Sequence, residues 1–146
     1  DGSIRKVIPT HRGVGVSSAL REIQIDRYSA VSPEGVSIAF VNPDRKQDGW
    51  KAVLSARDAW VQYNKVDFGG KKLGSVRVRA LSPAGGSVEI RVDGMNGPLV
   101  ARVDIANGAD WSTAKAALSE SPAGIHDLYV ILKGDKSVEI DWIRFE

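Results

Sequence analysis

Val76-Arg77-Val78-Arg79-Ala80 and Val88-Glu89-Ile90-Arg91-Val92, with Pro83-Ala84-Gly85-Gly86 between them, decide the fold of this chain. In both runs every second residue is apolar and the residues between are charged. A strand sends alternate side chains to opposite faces, so this period puts valine and isoleucine on one face and charge on the other. A helix would scatter both sets around its circumference. The intervening Pro and Gly residues supply the backbone angles that a turn needs.

The same pattern recurs outward from this pair. Upstream stand Ile23-Gln24-Ile25-Asp26, Val36-Ser37-Ile38-Ala39-Phe40 and the run Trp60 to Phe68. Downstream stand Leu99 to Ile105, His126 to Leu132 and Val138 to Phe145. Asn42-Pro43-Asp44, Phe68-Gly69-Gly70, Asp93-Gly94, Asn96-Gly97 and Lys133-Gly134-Asp135 punctuate them. Short alternating runs at such intervals predict an all-β protein, read here as a β-sandwich of two antiparallel sheets. Ser112 to Glu120 is helical by composition alone, without a cap or an apolar stripe, and reads as strand plus loop. In the last run, simple alternation puts Val138, Ile140 and Trp142 on one face and Ile143 and Phe145 on the other. Either a bulge near Asp141 shifts the phase or the strand is buried on both sides. Alternation does not choose between them.

A chain of 146 residues fits one domain with a single core. Residues 1–20, rich in Gly, Ser, Pro and Thr, read as a connector, and residues 21–146 as the folded module. The opening Asp1-Gly2-Ser3 suggests a piece of a longer protein, with any export signal upstream. Net charge is +2, from 20 basic and 18 acidic residues interspersed along the strands, without the basic stripe of a nucleic-acid binder. The absence of cysteine rules out disulfides and thiolate metal sites. No apolar run approaches the ~18 residues of a membrane span, so membrane insertion is not expected.

Two of the four tryptophans stand where a core has little use for them. Trp111 ends the loop-like run Asn107-Gly108-Ala109-Asp110, and Trp60 lies on the strand phase opposite Val61 and Tyr63. An indole left near water forfeits burial free energy of roughly 25 cal/mol per Å², so such residues are often ligand or interface platforms. No catalytic constellation accompanies them. His11 and His126 are the only histidines, no carboxylate pair stands out, and the Gly-Gly pairs lack the following helix of a phosphate loop. Binding without catalysis is the expectation.

Ordered along the chain, several segments resemble carbohydrate-binding module family 6. These are Ile23-Gln24-Ile25-Asp26-Arg27-Tyr28-Ser29, Trp60-Val61-Gln62-Tyr63 with Val66-Asp67-Phe68-Gly69, Gly124-Ile125-His126-Asp127-Leu128-Tyr129-Val130, and Ile140-Asp141-Trp142-Ile143-Arg144-Phe145. The connector Ile4 to Val14 is similar to segments joining catalytic and binding modules of glycoside hydrolases. The resemblance implies a jelly-roll sandwich without activity, a C-terminal accessory module of a secreted, periplasmic or cell-surface glycoside hydrolase. Its partners would be that enzyme and a polysaccharide or oligosaccharide of the xylan, β-glucan or algal class, and the isolated module would be monomeric.

The resemblance also implies sites. Trp111 matches the aromatic of a cleft at one end of the sandwich; otherwise it plugs that end. Leu54, or Val53 if a gap is allowed, stands where the family has a facing aromatic, and Glu139 where it has an Asn, two departures from the pattern. Trp50 could stand in for the missing ring or pack at an edge. Trp60 matches the aromatic of a second site on the concave face of one sheet. Gln24, Asp26 and Asp141 match a structural calcium site, or else form a polar cluster tying the first and last strands. The two departures leave open a second reading, a structural module with a degenerate site that packs on its parent enzyme.

Overall fold

Runs of alternating valine and arginine cannot bury one face alone, so two sheets close on each other. The computed structural model describes residues 17–24, 28–40, 44 and 49–146. Among the described residues there are twelve strands and no helix. They are β1 (Ser17–Ser18), β2 (Ile23–Gln24), β3 (Ala30–Val31), β4 (Val36–Phe40), β5 (Trp50–Leu54) and β6 (Trp60–Asp67). Then follow β7 (Ser75–Leu81), β8 (Gly86–Val92), β9 (Leu99–Ile105), β10 (Ser112–Ala117), β11 (Ile125–Leu132) and β12 (Val138–Phe145).

One sheet, sheet A, runs β1-β6-β11-β8-β9, with β3 also on β6; the other, sheet B, runs β10-β7-β12-β5-β4, with β2 also on β12. All pairings between named strands are antiparallel except the two-residue β1 on β6. The alternating runs become β4, β6 to β9, β11 and β12, and Ser112–Ala117 is a strand, not a helix. Sequence reading missed β5, in which Trp50 begins a strand antiparallel to β4. It also missed that Ser17 and Ser18 pair with Val66 and Asp67, so strand pairing begins inside the expected connector.

The core lies between the sheets, built from the inward phase of each strand: Val61 and Tyr63, Val76 and Val78, Val88 and Ile90, Leu128 and Val130. Register shifts occur at three strand pairs, β6–β11, β7–β12 and β8–β9, and the first two set what faces outward near the sites. In β6, Lys65 takes a positive φ of 56° and the register against β11 shifts, so Tyr63 and Val66 both point inward. In β12 the register against β7 shifts between Ile140 and Trp142. Val138, Ile140, Ile143 and Phe145 are all buried in consequence, and Trp142 turns to the outer face. Of the two readings of this strand, the bulge is the one that holds.

Candidate functional site

The outward face of sheet A gathers aromatic and polar side chains from four strands. Trp60 is half-buried, on the opposite side of β6 from the buried Val61 and Tyr63. β6 pairs with β11 so that Trp60 lies opposite Ile131 and Gln62 opposite Tyr129. The Trp60 and Tyr129 rings therefore meet at 6.0 Å between centroids, tilted by 55°. Ile131 is 2% exposed yet outside the core cluster, a buried floor on the outer face. Polar groups extend the row: Gln62 Nε2 donates to Asn64 Oδ1 at 2.7 Å, and Tyr129 pairs on its other side with Arg91. Arg91 in turn donates to Glu89 Oε1 through Nε at 3.1 Å.

Beside this platform lies a depression of about 360 Å³ lined by Arg57, Asp58, Glu89, Arg102, Lys133 and Gly134. Lys133 Nζ donates to Asp58 Oδ1 at 2.8 Å, and that hydrogen bond, with the Lys133 charge, holds the Asp58 carboxyl below its usual range. Sequence reading found Trp60 by its phase but missed Tyr129, Gln62 and Arg91. Tyr129 was within reach, since it alternates with Leu128 and Val130; its contact with Trp60 follows only from the strand register.

The residues expected at an end cleft converge on one end of sheet B without forming a cleft of facing rings. Trp111 immediately precedes Ser112, which pairs with Ala80, while Val138 pairs with Leu54 and Glu139 with Leu81. The Trp111 ring is half-buried, with the Arg79 guanidinium 5.9 Å from its centroid. Leu54 is 0% exposed, its side chain in the core, and offers a ligand no surface. Glu139 Oε1 accepts from Lys51 Nζ at 2.5 Å in a half-buried ion pair. Trp50 is 39% exposed but stacks on Phe40 at 4.1 Å. It sits at the other end of β5 from Leu54, so it does not replace the ring missing there.

Of the expected calcium ligands, Asp26 lies outside the described residues. Gln24 pairs with Trp142, next to Asp141, at the place where the edge of β12 passes from β5 to β2. Asp141 is 9% exposed at the bulge, with Arg79 Nε 3.6 Å from its carboxylate. A buried carboxylate and a neighbouring amide oxygen suit a hard cation chemically. Among the described residues no group of three or more His, Cys, Asp or Glu forms a metal cluster.

At the opposite end of sheet A from Trp60, His126 joins two loops. Nδ1 lies 3.0 Å from both Asp93 carboxylate oxygens, and Nε2 lies 2.8 Å from the Ala123 carbonyl. Both ring nitrogens face acceptors, so both contacts are hydrogen bonds only in the imidazolium. The Asp93 hydrogen bond accordingly raises the His126 pKa above 6.5, against the opposing cost of burial. A raised folded-state pKa gives stability that is complete below the unfolded value and lost as pH rises through the folded one. Melting at about pH 8.5 is therefore expected slightly below that at about pH 6, by less than about 1 kcal/mol after solvent screening. His126→Gln should flatten this dependence; an unchanged profile in that variant would locate it elsewhere.

Comparison with known proteins places this geometry. The family model for carbohydrate binding module (family 6) matches residues 30–146. The chain is 28% identical to the family 6 carbohydrate-binding module of Clostridium cellulolyticum, solved in complex with xylose, with a TM-score of 0.79 over 89% of this chain and 99% of that one. A β-1,3-glucan-binding family 6 module from Bacillus halodurans is 26% identical, with a TM-score of 0.79 over 90% of this chain and 99% of that one. An arabinoxylan arabinofuranohydrolase of Paenibacillus polymyxa is 25% identical over 147 residues, 94% of this chain. The chain spans 22% of that relative's length. With the two-sheet sandwich and a match running from β3 to Glu146, the chain belongs to carbohydrate-binding module family 6, a family of non-catalytic carbohydrate-binding modules.

Proposed function

We propose that this module holds a polysaccharide on the outward face of sheet A, with Trp60 and Tyr129 as its stacking platform. The observation that carries this is the Trp60–Tyr129 pair, half-buried and bordered by the Gln62 and Asn64 amides. A pyranose ring presents a face of C–H bonds, and an indole presents a flat apolar surface with a negative quadrupole. The amides add what stacking lacks: each both donates and accepts, so sugar hydroxyls of either polarity find a partner. Affinity is weak, because a short sugar buries little area against the cost of ordering it. Xylan and β-glucan are the polymers to try first, since the relatives were solved with xylose or bind β-1,3-glucan. Slowed migration of the module through native gels containing either polymer is the expected result; unretarded migration through both would sink the proposal.

Trp111 is the second platform in this reading, an end site weakened by the burial of Leu54 and by the Lys51–Glu139 ion pair. Those same two features favour the competing reading, a module that binds no sugar and packs on its parent enzyme. Blank binding screens and a parent enzyme destabilised by removal of the module would support that alternative. In the favoured reading the module tethers an exported glycoside hydrolase to its insoluble substrate. The likeness to a small part of the arabinofuranohydrolase supports that setting.

Gln24, Asp26 and Asp141 would hold a calcium ion that ties β2 to the bulge of β12, neutralising Asp141 where burial is costly. A ligand that binds only the folded state at about 100 times its Kd adds ~2.7 kcal/mol. EDTA is therefore expected to lower Tm by roughly 5–10 °C, with recovery on excess calcium. A melting curve indifferent to both would remove the metal and leave the polar-cluster reading of these residues.

A further inference from the structure

The depression next to Trp60 carries a charge imbalance that a neutral sugar does not need. Of its lining groups, Asp58 already accepts from Lys133 at 2.8 Å, and Glu89 already accepts from the Arg91 Nε and Nη2 at 3.1 and 3.0 Å. Both lining carboxylates are thus engaged. Arg57 and Arg102 are exposed; the Arg57 charge helps to lower the Asp58 pKa, but no carboxylate among the described residues forms an ion pair with either arginine. Lys133 and Gly134 also border a neighbouring hollow of about 220 Å³ with Gly86, Ser87, Asp104, Asp135 and Lys136, where two carboxylates balance two lysines, so the depression continues along the sheet while the excess positive charge stays on the Arg57 and Arg102 side.

The strand register puts Arg102 in line with the aromatic platform. Trp60 lies opposite Ile131, Ile131 opposite Glu89, and Glu89 opposite Arg102. That is three strand spacings, about 14 Å, a distance that a short oligosaccharide spans. Arg57 stands just before Trp60 in the β5–β6 connection. A saccharide chain crossing the strands from Trp60 therefore runs towards Arg102, and Arg57 lines the same depression.

We propose that this depression is a subsite for an anionic substituent of the polysaccharide, a uronate carboxylate or a sulfate ester, engaged by Arg57 and Arg102 while a sugar further along the same chain stacks on Trp60. A guanidinium is planar, always charged and matched to oxyanions in a two-pronged hydrogen bond. Three basic side chains against two carboxylates leave the depression cationic, and neither arginine is held in an ion pair among the described residues. The inference rests on the sheet A platform and names the class of polymer that would use it best.

Titration calorimetry with four polymers tests it: unsubstituted xylan, the same xylan bearing glucuronate, a neutral galactan and its sulfated form. Wild type is expected to bind one charged polymer at least about tenfold more tightly than its neutral counterpart, with the preference lost in high salt. Whether the glucuronate or the sulfate arm shows the gain identifies the substituent. The double variant Arg57→Gln/Arg102→Gln should keep the neutral affinity and lose the preference, with an unchanged Tm since both side chains are exposed. Equal wild-type affinity for charged and neutral polymers, or a preference surviving in the double variant, overturns the subsite. If Trp60→Ala abolishes neutral binding in the same series, the platform stands while the subsite falls. No binding of any polymer by wild type overturns both.

Discussion

Trp60→Ala is expected to weaken polysaccharide binding by roughly 30-fold, the equivalent of about 2 kcal/mol. The figure follows from area: a sugar ring stacked on the exposed part of an indole removes on the order of 80 Å² of apolar surface from water, at roughly 25 cal/mol per Å². Trp60 also serves the fold, because it stands cross-strand opposite Ile131, which is 2% exposed on the outer face of sheet A. The variant should therefore lose about 1–2 kcal/mol of stability as well, while remaining folded at room temperature. Tyr129→Ala should weaken binding too, by less, since its ring is tilted against Trp60 and is not the principal platform. Trp111→Ala serves as the contrast. If it alone destroys binding and Trp60→Ala leaves affinity intact, the working site is the end of sheet B and the sheet A assignment is wrong.

Phe145→Ala is expected to cost about 3–5 kcal/mol of unfolding free energy, and Trp142→Ala well under half of that. Both residues lie on β12, and their different fates come from one extra residue. Phe145 is 1% exposed and its ring meets Phe68 edge-on at 5.0 Å between centroids. Removing it leaves a cavity between the sheets that neighbours refill only in part. Trp142 lies half-buried on the outer face, with the Arg144 guanidinium 6.0 Å from its ring. Its truncation loses surface packing but opens no void. Urea unfolding of the two variants measures the difference directly. Similar costs for both would mean that β12 is buried on both sides and that the register shift does not set the phase.

The strands themselves were readable from alternation, because a strand facing a core on one side must alternate apolar and polar residues. That rule recovered β7, β8, β9 and β12 almost residue for residue. It failed at β5, where Trp50-Lys51-Ala52-Val53-Leu54 is short, and its polar approach resembles a loop. It also stalled at Asp141, since a bulge is a defect in the period and leaves no periodic trace. For the site, Trp60 was legible from its phase. Its neighbours were not, because Tyr129, Arg91 and Arg102 reach it through pairings between strands far apart in sequence.

Taken alone, the order of residues determined that this protein is a two-sheet β-sandwich with tryptophans outside its core, since side-chain period and turn chemistry are local properties of the chain. Only the tertiary structure decided that Leu54 is sealed in the core and Glu139 is bound to Lys51. It also decided that Trp60 stands with Tyr129 near a depression lined by Arg57 and Arg102, neither of which forms an ion pair among the described residues. The physical reason is register: hydrogen bonds between distant strands choose which outward side chains become neighbours, and no local pattern encodes that choice.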